Sequence, residues 1–434
     1  VLIAVLDTGI PLDVDTGELN HPDLDDPNRY ILGPDFIDSQ PDGDGVRDCS
    51  GHGTHVTGTI AAETNNGIGI AGICQNCKIL TIQVFDSNNM TDPISLINGV
   101  YAAVDYGATI INFSGGFTTH VSAVESAVKY ANSQGITQIY SAGNDSYRGV
   151  RCPARHAHVS YNEEYENYPN GYPTIISVAA TDHHDEQTSY SSYSSEYIHV
   201  TLAAPGGYGG FNDDTKDIFS TSPGYSCDTE FPNEDILQSY AYKYGTSMAA
   251  PHVSGTAGLM LSANPDLTAI QIREILQFTA VDVNASSNLG NDRYLGYGRI
   301  DAYEAVKVAK IMADNNLTML LTGIVFGEIT EGVLLYGDVT IPEDIEVNMN
   351  VNIMVYNSNL SIIGSENNPI IITGDSWEGI KITNSHILLN YVNITGSNLY
   401  GICLDGNTSG WIKNCNINDN NIGIELHSID NTFL

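Results

Sequence analysis

Six short, continuous apolar runs, set apart by segments of helical period or by polar loops, constrain the first 310 residues more than any other feature. They are Val1–Leu6, Ile79–Val84, Thr109–Phe113, Thr137–Ser141, Ile175–Ala179 and Ile198–Leu202. Continuous rather than alternating hydrophobicity predicts strands buried on both faces. Between them Ile94, Ile97, Val100, Tyr101 and Val104 recur at helical spacing behind Asp92-Pro93, and Val121, Val124, Val128 and Ala131 do so ahead of Gly135. Thr268 and Gln271 form a capping-box pattern that predicts a helix over 270–278, and a last helix is expected over 303–312. Strands alternating with helices predict an α/β domain, a parallel sheet sandwiched by helices. Two polar stretches, 145–172 and 206–243, interrupt it, and loops that long inside a compact domain are functional or mobile.

At 434 residues the chain is too long for one ordinary core. Its composition changes after Asp314: residues 315–434 carry 13 acids and two bases, Lys381 and Lys413, and are rich in Asn, Ile, Val and Gly. Val347, Met349, Val351, Ile353 and Val355 alternate as in a strand. Gly379-Ile380-Lys381-Ile382, Gly401-Ile402-Cys403-Leu404 and Gly423-Ile424-Glu425-Leu426 recur every 22 residues, and Asn393-Ile394 recurs at Asn416-Ile417. A fixed period of this length with Asn-rich turns predicts an all-β solenoid. The segment resembles right-handed parallel β-helix proteins. The expected domains are therefore 1–314 and 315–434. Val1 opens directly on a strand and Leu434 closes without a polar cap, so a chain trimmed at both ends is expected.

The net charge of −36 argues against nucleic acid and anionic membrane surfaces as partners. No apolar run reaches the 18 residues of a transmembrane helix. Seven cysteines include Cys74-Gln-Asn-Cys77, which lacks the second CxxC of a zinc ribbon and reads as a disulfide in a secreted protein. Cys152 and Cys227 are candidates for a second bridge, with one thiol left over.

Three positions carry chemistry. Asp7 ends the first apolar run. His52 lies in Ser50-Gly51-His52-Gly53-Thr54-His55. Ser247 lies in Gly245-Thr246-Ser247-Met248-Ala249-Ala250-Pro251-His252, among small residues ahead of the apolar run Val253–Leu261. Alone, Asp7 reads as a loop residue, His52 as a structural histidine and Ser247 as a helix cap. Together they are a nucleophile, a base and an orienting carboxylate. His55 also suggests a metal pair with His52, but no zincin pattern follows, so His55 and His252 are expected to be buried and hydrogen-bonded. At these three motifs, in the order Asp, His, Ser, the chain resembles the subtilisin-like serine proteases (subtilases).

The resemblance implies hydrolysis of peptide bonds through an acyl-enzyme, with Asp7, His52 and Ser247 as triad. It implies Asn144, in Ser141-Ala142-Gly143-Asn144, as oxyanion donor. It implies that Ser114, Gly115 and Gly116, with Ser141, Ala142 and Gly143, bind the substrate backbone as an added strand. Gly115 stands where many relatives carry a larger residue, which predicts a more open S1 wall. Asp145, at the pocket rim, suggests a mild preference for basic or polar P1 residues. Structural calcium is implied too, held by Asp23, Asn66 and the carbonyls of Ile68 and Ile70. Asp38, Asp42, Asp44 and Asp48 are a second candidate, against the alternative of a solvated acidic turn. The reading is a secreted or cell-surface, calcium-stabilised, monomeric endopeptidase acting on peptides or proteins. Its solenoid is a spacer or binds a carbohydrate or surface ligand. The rival is an adhesion protein with an inactive or unmatured protease domain.

Overall fold

A computed structural model describes residues 1–13, 15–37, 46–157, 172–193, 199–210, 214–224, 239–317, 319–324, 333–341, 346–348, 353–365, 369–373 and 377–427. The chain divides into two compact units, 1–306 and 307–434.

The first unit is built on one parallel sheet of seven strands: β1 (Leu2–Asp7), β2 (Tyr30–Asp35), β3 (Lys78–Gln83), β4 (Ile110–Phe113), β5 (Thr137–Ser141), β6 (Ile175–Thr181) and β7 (Leu202–Pro205). Their spatial order is β2-β3-β1-β4-β5-β6-β7. This is the subtilisin-like α/β architecture expected. The helices are α1 (His52–Ala61), α2 (Pro93–Asp105), α3 (Ser122–Ser133), α4 (Thr246–Ala263), α5 (Ala269–Thr279) and α6 (Ala302–Asp314). The expected capping box opens α5, and Asp92 caps α2 by accepting from the N–H groups of Ile94 and Ser95.

Alternate residues of β1 reach helices on opposite faces of the sheet. A Cβ added at Gly99 in α2 would meet the Leu6 side chain at 3.1 Å, and one added at Gly258 in α4 would meet Ile3 at the same distance. Both glycines let a helix lie close on the sheet. Leu6 joins Leu80, Ile82, Leu96, Val100, Val124 and Val128 in the core under α2 and α3.

Several expectations need correction. The last predicted strand lies later, at β7, and its Leu202 pairs with Val178. β2 went unseen because Gly33-Pro34 reads as a turn. The polar stretch 206–243 contains an antiparallel pair, β8 (Ile218–Thr221) and β9 (Tyr240–Lys243). Cys74 and Cys77 form the expected disulfide. Cys152 is a free, buried thiol, so it has no bridge to Cys227, which lies outside the described residues; Cys49 is the residue held in a disulfide. Cys403 and Cys415 are also free. No helix among the described residues is long and apolar enough to cross a membrane.

The second unit begins within α6. It consists of parallel strands: β10 (Met319–Ile324), β11 (Val333–Ile341), β12 (Glu346–Asn348), β13 (Ile353–Ile363), β14 (Ile370–Thr373), β15 (Ile380–Thr383), β16 (His386–Asn390), β17 (Val392–Thr395), β18 (Tyr400–Asp405), β19 (Ser409–Lys413), β20 (Asn416–Asn418) and β21 (Ile422–His427). One sheet runs β10-β11-β13-β15-β18-β21 and another β12-β14-β17-β20. The repeat read from sequence becomes register: Ile380 pairs with Ile402 and Ile402 with Ile424, while Asn393 pairs with Asn416. Ile353, Ile380, Ile382, Ile402 and Leu404 fill a core with the fully buried Trp377. Asn384 and Asn414 take left-handed backbone just after β15 and β19, and Asn357 does so inside β13 where its register against β11 shifts, a conformation Asn tolerates better than other side chains.

Candidate active site

The cleft is assembled where chain segments end on the sheet. Asp7 is the last residue of β1 and is fully buried. Its Oδ1 accepts from the Thr8 N–H at 2.8 Å and lies 2.7 Å from His52 Nδ1. His52 is the first residue of α1, and the orphan N–H groups of that helix start explain its placement. Gly51, the residue before the helix, has left-handed backbone and no capping side chain. Thr8 Oγ1 instead accepts from Gly53 N–H at 2.8 Å, and Asp48 Oδ2 accepts from Thr54 N–H at 2.8 Å. A Cβ at Gly53 would stand 2.5 Å from the Gly9 carbonyl oxygen, so only glycine lets α1 approach the end of β1 this closely.

Ser247 sits in the first turn of α4, after Gly245, whose φ is 140°. Its hydroxyl donates to the Ser114 carbonyl at 3.0 Å, and the Ser114 hydroxyl donates to the Ser247 carbonyl at 3.0 Å. Asn112 Nδ2 supports Ser114 Oγ at 3.1 Å and is itself tied through Oδ1 to Ser254 at 2.7 Å. Asn144 Oδ1 accepts from both the N–H and the hydroxyl of Thr246, each at 2.9 Å. A backbone N–H can only donate, so this end of the amide is the oxygen, and the Nδ2 donor is the end left for a ligand. His52, Phe85, Ser114, Gly115, Gly116, Asn144, Arg151, Tyr244 and Ser247 line one cleft of about 630 Å³. Of the second implied substrate wall, Ser141 is buried with its hydroxyl 3.5 Å from the Gly115 carbonyl, Ala142 is buried, and Gly143 N–H donates to Thr246 Oγ1 at 3.1 Å.

Residues 1–298 match the family model described as the subtilase family. The chain belongs to the subtilase family. It is 36% identical over 304 residues to the thermophilic serine proteinase of Bacillus sp. strain AK1, an alignment covering 70% of this chain and 61% of that one. It is 34% identical over 305 residues to thermitase of Thermoactinomyces vulgaris, covering 70% of this chain and 88% of thermitase. Among solved structures, a protease from Pseudoalteromonas arctica superposes with a TM-score of 0.56 at 30% identity, covering 71% of this chain and 90% of that one. The chain spans less than two thirds of the length of the first of these relatives.

Within this subtilase cleft, several details differ from the sequence reading. The opening expected at Gly115 is not there, because a Cβ added at this position would fall 2.3 Å from the Phe85 ring, which fills the space. Phe85 is held in turn by stacking on Phe113, with centroids 5.2 Å apart. Asp145 is not a free rim charge. Arg151 Nη2 donates to its Oδ1 at 2.9 Å, and this bond holds the Asp145 carboxyl below its ordinary range. Arg151 also packs against Gly116 and Gly143, 2.7 Å from where a Cβ added at either would stand. Sequence reasoning missed Phe85 and Arg151 because no local motif marks them.

Asp48, in the second candidate calcium set, is engaged elsewhere. Its Oδ1 accepts from Thr8 Oγ1, Ser50 N–H and Gly51 N–H, and its Oδ2 accepts from Thr54 N–H and Oγ1, which uses both oxygens in holding the start of α1. Asp38, Asp42 and Asp44 lie outside the described residues. Asp23 is fully buried; its Oδ1 accepts from Asn66 Nδ2 at 2.7 Å, and its Oδ2 from Ile70 N–H at 3.0 Å and Tyr240 hydroxyl at 2.9 Å. Ile68 N–H donates to Asn66 Oδ1 at 3.2 Å. A buried carboxylate and a side-chain amide are hard oxygen donors of the kind calcium takes, and here their oxygens are engaged by loop and Tyr240 donors that a bound ion would displace. His55 is buried with Nε2 3.0 Å from the Ile218 carbonyl and 3.1 Å from that of Ala241, and burial pushes its pKa down to about 3. His252 is only partly buried, not fully as expected; its Nδ1 lies 2.8 Å from the Met248 carbonyl, and desolvation pulls its pKa down.

Proposed function

We propose that this chain is a serine endopeptidase with Asp7, His52 and Ser247 as triad and Asn144 as oxyanion donor. The observation that carries the reading is the buried Asp7–His52 pair at 2.7 Å, opening on the cleft that Ser247 and the anchored Asn144 also line. Asp7 holds the imidazole by Nδ1 and stabilises its charged form. The Ser247 hydroxyl turns from the Ser114 carbonyl to His52, which takes its proton as Oγ bonds to the scissile carbonyl carbon. The negative oxygen that forms meets Asn144 Nδ2. His52 then returns the proton to the leaving amine, and water hydrolyses the acyl-enzyme. Reaction of Ser247 with a fluorophosphonate probe, absent in Ser247→Ala and His52→Ala, tests this; an unreactive Ser247 in folded protein would favour an inactive protease domain.

Substrate selection belongs to the Ser114–Gly116 and Ser141–Gly143 walls. Arg151 and Phe85 narrow the space between them, and Arg151 cancels the charge of Asp145. A small, uncharged P1 side chain fits such a pocket.

Calcium belongs to Asp23, Asn66 and the carbonyls of Ile68 and Ile70. When bound, the ion would supply the positive charge that a buried Asp23 lacks. Chelator and Asp23→Asn should each lower the melting temperature, without adding to one another.

Residues 315–434 are read as rungs of a parallel β-helix. The in-register parallel sheets and the 22-residue repeat support this. Its role is a spacer or a platform for a carbohydrate or surface ligand. Secretion fits the acidic surface and the Cys74–Cys77 disulfide.

A further inference from the structure

Away from the cleft, three side chains from separate segments converge. His120 follows β4, Glu125 is in the first turn of α3, and His156 is in the short 3-10 turn Ala154–Ala157. Each offers one ligand atom, and the three atoms lie within 4.8 Å of one another. His120 Nε2 is 2.9 Å from Glu125 Oε2. His156 is fully buried and His120 partly exposed, so one ligand is fixed in the core while another borders solvent.

We propose that His120, Glu125 and His156 bind one divalent transition-metal ion, zinc by the nature of its ligands. Two imidazoles and a carboxylate are a recurrent three-ligand zinc set, and the fourth position is left to water. Ligand atoms about 2.1 Å from a tetrahedral zinc stand about 3.4 Å apart, so the three need move only a fraction of an ångström to a little over one.

The surroundings fix the Glu125 carboxylate and the backbone that carries His156. The Tyr172 hydroxyl donates to Glu125 Oε1 at 2.7 Å, leaving Oε2 for the ion. Tyr172 N–H donates to the His156 carbonyl at 3.0 Å, and Arg273 donates to the carbonyls of Ala157 and Tyr172 at 2.9 and 3.2 Å. The strongly negative chain favours cations in general.

Position gives the site a consequence. Phe117 and Cys152 exchange two backbone hydrogen bonds, of 2.8 and 3.0 Å. His120 is three residues beyond Phe117 and His156 four beyond Cys152, so zinc would fasten the same two segments a second time. Gly116, Phe117 and Arg151, which line the cleft, belong to those segments.

The test is a titration of zinc into the calcium-loaded Ser247→Ala chain, which cannot digest itself, followed by calorimetry and by the visible spectrum of the cobalt-substituted protein. It does not depend on proteolysis, so it stands or falls separately from the enzymatic reading. One zinc per chain is expected. His120→Ala, at the exposed position where folding is safe, should weaken binding by more than about 100-fold, and Tyr172→Phe, outside the ligand set, by about 10-fold. No binding, or binding unchanged in His120→Ala, overturns the proposal. So does binding lost in His427→Ala instead, which would place the ion at the second convergent set, Cys403, Glu425 and His427.

Discussion

The cleft and the C-terminal repeat reach their order by opposite routes. In the cleft, the reciprocal Ser114–Ser247 hydrogen bonds join residues 133 apart, and Asp7 and His52 are 45 apart. Each contact occurs once, and each depends on a helix or strand ending at a particular residue. In the tail, partners lie on neighbouring strands, and over the last three repeats, as for Ile380, Ile402 and Ile424, they are 22 residues apart. There one interaction is made many times, so no single residue is decisive. A site of unique contacts should lose function to one substitution while keeping its fold; a stack of repeated contacts should lose local stability and leave the chemistry alone.

The sharpest way to break that contrast is at the nucleophile. Ser247→Ala should lower kcat by about 10⁶, the scale known for subtilisin, while its melting temperature stays close to that of the parent. Asn144→Ala should lower kcat by about 10²–10³ with little change in KM. A large loss of stability in either variant would show that the cleft network is structural.

In the tail, Ile402→Ala removes a fully buried side chain from the middle of a three-strand register. A cost of about 2–5 kcal/mol is expected in the unfolding transition of that unit, with peptidase kcat/KM unchanged. A fall in kcat/KM would break the comparison from the other side.

Histidine burial sharpens it through pH. Below pH 6.5 the unfolded chain protonates His55, while the folded chain refuses the proton until about pH 3. The stability contributed by neutral His55 is therefore present above pH 6.5 and is lost as pH falls toward 3, at up to about 1.4 kcal/mol per pH unit. Burial lowers His252 in the same direction. Denaturant midpoints measured across this range should fall in the parent and fall less steeply in His55→Gln. The smallest effect concerns specificity. Arg151→Ala should leave the triad geometry intact, unpair Asp145 and shift a P1 peptide library several-fold toward Lys and Arg; an unchanged profile would remove Arg151 from the pocket.

Much of the fold was legible because buried parallel strands announce themselves as continuous apolar runs, and five of the six expected strands lie where those runs fall. β2 and the β8–β9 pair were hidden because Gly33-Pro34 and the polar residues around 206–243 carry turn chemistry, which tertiary pairing overrides. Asp48 shows the same limit in the site. Its acidic neighbourhood suggested a cation, whereas the structure spends both its oxygens on a helix start that lacks a cap of its own. Phe85 and Arg151 fill the space beside glycines that the sequence could only describe as small.

By itself, the sequence determined the family, the identity and order of the residues proposed for catalysis and the register of the last three repeats of the tail, because motif spacing and a 22-residue period are properties of the chain. Tertiary structure alone decided which charges are free, which gaps are filled and which histidines meet. Those depend on side chains from remote segments competing for the same few ångströms: Arg151 reached Asp145, Phe85 reached Gly115, and Cys152 stayed reduced beside the turn that brings His156 to His120 and Glu125.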